Sequence, residues 1–170
     1  MLAVSNSTAL IPLATVTFIT WLPNLFSKLM IPQAVYDEVV VDGAGMPGSA
    51  ELKQAVDQKL IDVSTVKDQI GYSDLVTNYG LDSGEAEVIT LALELGANLV
   101  IIDEDKAWHV AKQLKDHFTT LALPFVLDMA QQSGLIPSSI NALRECRLYG
   151  KYHPAGAILR CWCKSRGITP

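Results

Sequence analysis

Behind Asn98 the chain runs Leu99-Val-Ile-Ile102 without a polar break and then meets Asp103; this run follows a helix-like segment, Ser83 to Leu95, closed by Gly96. An apolar run with no in-out alternation marks a strand covered on both faces, and such strands sit in parallel sheets sandwiched by helices. Gly96 stands where a left-handed residue ends a helix. Parallel neighbours are joined only through crossover connections, so this one strand already predicts an alternating α/β chain.

The other segments repeat the alternation. Leu2 to Val4 is a short apolar run, and the cap-rich Ser5-Asn-Ser-Thr8 behind it predicts a strand passing into a helix that carries Ala9, Leu10, Leu13 and Ala14. Lys28 to Ile31 is a second strand, with Pro32 as the first residue of a helix running to about Val41, and Asp42 to Gly48 is a loop. Ser49 to Gln58 reads as helix, Leu60 to Val63 as strand, Lys106 to Leu114 as helix and His117 to Thr119 as strand. Helices over Ala122 to Ser133, Pro137 to Leu148 and Pro154 to Lys164 complete the chain, while Ser64 to Tyr79 shows no clear period and stays unassigned. The expected fold is a three-layer α/β/α sandwich around a mainly parallel sheet. It forms a single domain over residues 1–170, with a helical, basic segment from about 138 to 170.

With 170 residues, 49% hydrophobic and 18% charged, the chain can bury a real core, and intrinsic disorder is excluded. The net charge of -5 argues against a protein that coats nucleic acid through general basicity. The charge is uneven, however. From Arg144 onward Arg144, Arg147, Lys151, Arg160, Lys164 and Arg166 face only Glu145, every other acid lies before residue 144, and no arginine does. Such a division suits a metal site in the body and a phosphate-holding surface in the tail; the alternative is a solvated amphipathic helix. Arg144, Arg147, Lys151 and Arg160 are the candidate RNA-binding residues.

Cys146, Cys161 and Cys163 make no disulfide framework, and with His153 they lack the paired spacing of a zinc site, which fits a reducing, cytoplasmic compartment. The apolar stretch Ala9 to Leu22 is interrupted by Pro12, has no preceding Lys or Arg, and is too short to span a bilayer. It reads as buried helix, with no membrane partner.

In an open parallel sheet the ligand crevice lies beyond the carboxyl ends of the strands. Asn6 follows the first strand and Asp103 follows Asn98 to Ile102, so both are candidates there; a helix N-cap is the competing role for Asp103. Glu38 shares a helical face with Ala34, Val35 and Val41, and Glu85 shares one with Val88, Ile89 and Ala92. A carboxylate on an apolar stripe needs a cation, a hydrogen-bond network or a functional crevice, unless it lies at the stripe's edge and reaches water. For Glu85 a capping box with Asp82 is an equal reading, and Glu87, on another face, is expected at the surface. Gathered carboxylates repel one another, and magnesium or manganese relieves that repulsion through oxygen ligands.

Several stretches together resemble the PIN-domain nucleases, in particular the (VapC-like) toxin components of prokaryotic toxin–antitoxin pairs. They are Val4-Ser-Asn-Ser-Thr-Ala-Leu-Ile11, Ile31-Pro-Gln-Ala-Val-Tyr-Asp-Glu-Val39, Leu81-Asp-Ser-Gly-Glu-Ala-Glu-Val-Ile89, Leu99-Val-Ile-Ile-Asp-Glu104 with Lys106 and Ala107, and Gly134-Leu-Ile-Pro137. The resemblance implies a PIN-like sheet, Glu38, Glu85 and Asp103 as catalytic acids, and a Mg2+- or Mn2+-dependent endoribonuclease. It implies a metal set of Asn6, Glu38, Glu85, Asp103 and Asp105, with RNA as substrate, an antitoxin protein as partner and a homodimer as assembly. Asn6 departs from the family pattern, which has aspartate there; an amide carbonyl can ligate a metal but brings no negative charge. Ser7 and Thr8 can support a metal-bound water or cap the helix. The alternative is therefore a catalytically weakened PIN fold used for RNA or antitoxin binding. A phosphatase reading of Asp103-Glu-Asp105 is weaker, because the strand before it lies more than halfway along the chain. Trp108, Trp162, Tyr149 and Tyr152 can stack on bases, although core packing is the more frequent use of such side chains.

Overall fold

The computed structural model of the chain describes residues 1–169. The strands are β1 (Leu2–Ser5), β2 (Lys28–Pro32), β3 (Asp62–Ser64), β4 (Leu99–Ile101) and β5 (Thr119–Leu121). They form one sheet in the order β3-β2-β1-β4-β5, and every neighbouring pair is parallel. The expected mainly parallel sheet is thus wholly parallel, flanked by helices in the α/β arrangement. Leu99, Val100 and Ile101 of β4 are all buried, as a strand without alternation requires.

The helices are α1 (Ser7–Thr15), α2 (Leu22–Leu25), α3 (Gln33–Tyr36), α4 (Ser49–Asp57), α5 (Gln69–Thr77), α6 (Ser83–Leu95), α7 (Asp105–Gln113), α8 (Leu123–Gln132), α9 (Ser139–Leu148) and α10 (Gly156–Arg166). Helix α6 lies across β1, β2 and β4 and is the central packing element. Ala86, Val88, Ile89 and Ala92 are completely buried on it. Gly96 ends α6 in the left-handed conformation, φ 58°, that its position predicts.

Three local expectations change. The stretch from Ala9 to Leu22 is not one helix: α1 stops at Thr15, Thr17 turns left-handed (φ 62°), a 3-10 turn covers Phe18–Trp21 and runs into α2, and the segment Phe18–Leu25 is bent 109° from α1. The β-branched series Thr15-Val16-Thr17 weakens helix continuation, and Pro23 falls in the first turn of α2, where its missing N–H has no partner to lose. Among the described residues no single helix is long and apolar enough to cross a membrane. Pro32 closes β2 instead of opening the next helix, and α3 widens into a π-helical turn over Asp37–Asp42. The unassigned polar stretch contains α5, which Asp68 caps by accepting the Gly71 N–H at 3.0 Å. Only Leu75 is buried in α5, so little apolar period was there to read.

The order of the strands decides where a ligand can sit. After β1 the chain moves through α1 to β2 and then to β3; it returns through α5 and α6 to β4, on the other side of β1, and leaves through α7 to β5. The connections after β1 and β4 depart in opposite directions, which opens a crevice beyond the carboxyl ends of those two strands.

Ile89→Ala is expected to lower unfolding free energy by about 2–5 kcal/mol, because Ile89 is completely buried on α6. Leu93→Ala, at a position 39% exposed on the same helix, should cost less than about 1 kcal/mol. Urea denaturation of the two variants measures both; equal losses would refute the assigned face of α6.

Candidate functional site

Pairing of β1 with β4 sets Ser5 opposite Ile101, and the Asn6 N–H donates to the Ile101 carbonyl at 3.1 Å. Asn6, Ser7 and Thr8 therefore leave the sheet beside Asp103 and Glu104. Asn6 is buried, and its Oδ1 accepts the Ala9 N–H at 3.3 Å, which caps α1. Its Nδ2 donates to Oε2 of Glu104, while the Thr8 hydroxyl donates to Oε1 of the same carboxylate.

Two further acids approach from α6 and from the π-helical turn. Glu85 and Asp82 form the capping box that their spacing predicts: the Glu85 N–H donates to Asp82 Oδ1 at 2.8 Å, and the Asp82 N–H to Glu85 Oε2 at 3.0 Å. Glu85 is nonetheless only 9% exposed, so its cap and its inward position coexist. Glu38 is exposed, the edge-of-stripe alternative, with its Oε1 accepting from the Ser7 hydroxyl at 3.1 Å. Gly84 lies between Asp82 and Glu38: a Cβ there would stand in ordinary contact with both, 3.6 Å from Asp82 Oδ1 and 3.9 Å from Glu38 Oε2, which places Glu38 beside the α6 cap. The π-helical turn carrying Glu38 is held by the Gly43 N–H donating to the Glu38 carbonyl at 3.0 Å. Such turns recur at functional sites.

Negative charge accumulates in this crevice. Glu104 is pushed up to about 7, first by burial and then by the charges of Asp103, Glu85 and Asp82. Burial also raises Glu85, with the charge of Asp82 adding to it and a backbone hydrogen bond and Lys106 opposing. A carboxyl that holds a proton near neutrality because it is buried, with other carboxylates adding to the effect, is a place where a cation would be stabilised. The donors at hand are carboxylates, an amide and hydroxyls, all oxygen-bearing, which suits a hard divalent ion. Among the described residues, no three His, Cys, Asp or Glu side chains stand together as a ready-made chelate, and Asn6 and Thr8 hold the Glu104 oxygens instead.

Asp103 has a different place. It is 4% exposed, and both oxygens accept the Leu123 N–H, at 3.0 and 3.2 Å, while Oδ1 also accepts the Tyr152 hydroxyl. It caps neither α1 nor α7 but the first turn of α8, far along the chain. Asp105 opens α7 in an exposed position beside His109. Glu87, expected at the surface, is half-buried and accepts the Ala34 N–H at 3.2 Å, so it satisfies the start of α3.

Glu104 was not singled out from the sequence. Successive residues of an extended segment point to opposite sides, so Asp103 and Glu104 cannot both enter the crevice. Because β4 is buried on both faces, its apolar pattern carries no parity that would have chosen between them. Of the basic residues, Arg144, Arg147, Lys151 and Arg160 are all exposed. Of the aromatics, Trp108, Trp162 and Tyr152 are buried, with Trp162 Nε1 donating to Asp128 at 2.7 Å, and Tyr149 alone among the four is exposed.

The family model DUF3368, described as a PIN domain, matches residues 2–158 of the chain. Neither the curated proteins nor the solved structures give a match.

Burial raises the Asp103 carboxyl from 3.8 to about 6, against the lowering effect of the Tyr152 and Leu123 hydrogen bonds. The folded protein thus holds this proton more tightly than the unfolded chain. Its contribution to stability is complete below the unfolded value and is lost as pH rises through the folded one, about 3 kcal/mol in all. In EDTA, the urea midpoint is expected to fall between pH 4 and 7, and Asp103→Asn to remove its share of that fall, leaving the part from Glu104 and Glu85. Parallel pH curves for native and variant protein would refute an ionising, buried Asp103.

Proposed function

This chain belongs to the PIN-domain family, and from that premise we propose that it is a metal-dependent endoribonuclease whose working acids are Glu38, Glu85 and Glu104. Members of the family are generally nucleases and usually use divalent metal ions. The observation that carries the proposal is the Glu104 carboxylate at the switch point of the sheet, raised to about 7 by burial and then by the charges of Asp103, Glu85 and Asp82.

Glu104, Glu85 and Glu38 are the residues that would hold magnesium or manganese; the Asn6 amide, whose Oδ1 caps α1 and whose Nδ2 faces Glu104, would join them through its carbonyl only after turning over. A bound ion of this kind would activate a water and offset charge on a phosphodiester. Glu104, raised to about 7 in the empty crevice, would give up its proton as a cation bound, since an opposite charge favours the ionised carboxylate. Ser7 orients Glu38 through its 3.1 Å hydrogen bond. Asp103 acts as a positioning residue, since its oxygens anchor α8 and the C-terminal turn. Asp105 lies at the outer edge of the same acidic strand end. The role of a toxin, with a small antitoxin protein as partner and a second copy completing a homodimer, is the part of the proposal that rests on sequence resemblance alone.

A second reading has its own observation. Asn6 and Thr8 donate to both oxygens of Glu104, an arrangement that satisfies the carboxylate without a metal and favours a binding module on a nuclease fold.

Cleavage of structured and single-stranded RNAs by the purified protein distinguishes the two. The nuclease reading expects cleavage with manganese or magnesium that EDTA stops, a loss of about 100-fold or more in kcat/KM for Glu104→Gln, and a gain for Asn6→Asp. An inactive native protein that gains activity only as Asn6→Asp supports the binding module. Inactivity of both, without metal uptake by calorimetry, removes the nuclease reading.

A further inference from the structure

Beside Glu38 lies a cavity of about 310 Å³ whose lining includes Ile11, Met46, Pro47, Tyr149 and Lys151 as well as Glu38 itself. Its lining is chiefly apolar, and Tyr149 and Met46 are 67% and 66% exposed. From this we propose that the cavity binds one unpaired nucleobase of a single-stranded RNA, with Tyr149 stacking on the ring and Lys151 holding an adjacent phosphate. The inference rests on the ribonuclease reading above and adds to it where the substrate strand lies.

Three observations select this occupant. The first is continuity, since Glu38 belongs to both the acidic crevice and the cavity wall, so a base seated here stands next to the candidate cleavage position. The second is charge: Lys151 is the basic side chain among the lining residues of a protein whose net charge is -5. An exposed aromatic ring beside a lysine is the usual way single strands are held without a sequence code. The third is size, because the volume falls at the lower end for ligand pockets and takes one planar ring system rather than a protein helix.

The turn that carries these two side chains is fixed from both ends. A Cβ on Gly150 would lie 2.8 Å from Pro12 Cα and 2.8 Å from the Cys146 carbonyl oxygen, so only glycine permits this contact with α1. On the other side the Tyr152 N–H donates to the Cys146 carbonyl at 3.0 Å, and its hydroxyl donates to Asp103. Between them Lys151 is held left-handed, φ 51°, a conformation that a lysine keeps only when its surroundings impose it. The backbone that carries Tyr149 and Lys151 is therefore fixed, which lowers the backbone share of the ordering cost of binding.

Anisotropy of a fluorescent single-stranded RNA, read in EDTA so that cleavage does not intervene, tests the proposal. Tyr149→Ala is expected to weaken binding about 10-fold and Tyr149→Phe to retain it. Lys151→Ala is expected to reduce the slope of log K against log salt by about 0.7. When a single abasic position is walked along the RNA, one position should weaken binding to the native protein and leave binding to Tyr149→Ala unchanged. Native-like binding by Tyr149→Ala, or no binding by the native protein, overturns the proposal. So does a variant that binds RNA normally but shifts the sedimentation of the protein, which would assign this face to a second copy. Tyr149-dependent binding without metal-dependent cleavage would retain the base site and remove the nuclease reading; cleavage with Tyr149-insensitive binding would do the reverse.

Discussion

A carboxylate taken out of water must find donors, and Asp103, at the end of β4, finds them 20 and 49 residues further along the chain in the Leu123 N–H and the Tyr152 hydroxyl. That requirement ties the central sheet to α8 and to the turn before α10. Two contacts beyond the sheet depend on it. The orphan N–H at the start of α8 is satisfied, and Tyr152 is drawn into the interior, which brings the turn Tyr149–Tyr152 against α1. The tyrosine is shaped by the same pairing: burial raises its hydroxyl further from ionisation, and the neighbouring charge of Asp103 adds to the effect. It stays a proton donor. Cys146, whose carbonyl accepts from the same turn, is likewise buried, with its thiol pushed up to about 12, and is inert as a nucleophile.

Once Asp103 is committed to the interior, the next residue takes the crevice. Glu104 is extended, φ -76° and ψ 131°, and its carboxylate meets Asn6 and Thr8 from the neighbouring strand end. The amide at position 6 then has a physical role: an aspartate there would place another negative charge against Glu104, whereas asparagine donates a hydrogen bond to it. Without a cation, asparagine stabilises the folded site. With one, an aspartate would bind it more strongly. The residue at this position thus trades stability of the empty crevice against metal affinity, which is why it is the natural point at which the nuclease and the binding module diverge.

How much was legible follows residue by residue. The boundaries of α6 were readable because cap box, apolar face and terminal glycine all agree there, and the wholly buried β4 was readable from its lack of alternation. Glu85 was recognised in both of its roles because both depend on spacing within one helix. Glu87 was misjudged as surface because its partner, the Ala34 N–H, belongs to another element. Asp103 was recognised as special but not for its actual partners, which lie on α8 and near the C-terminus. The break after Thr15 had a local signal in the β-branched Thr15-Val16-Thr17, masked by the unbroken apolar character around it, while α5 buries too few side chains to show a period.

Sequence alone determined the alternation of strands and helices, the parallel sheet, the separation of an acidic body from a basic tail, and Glu38 and Glu85 as candidate acids. These properties are encoded by neighbours within a few residues, through side-chain period, capping and composition. The tertiary structure decided the strand order that opens the crevice between β1 and β4, the assignment of Glu104 to it and of Asp103 to the interior, and the exposure of Tyr149 while Tyr152, Trp108 and Trp162 are buried. Each of these depends on contacts between residues far apart in the chain. In a strand covered on both faces, the local pattern is the same whichever side a carboxylate takes, so only the packing around it makes the choice.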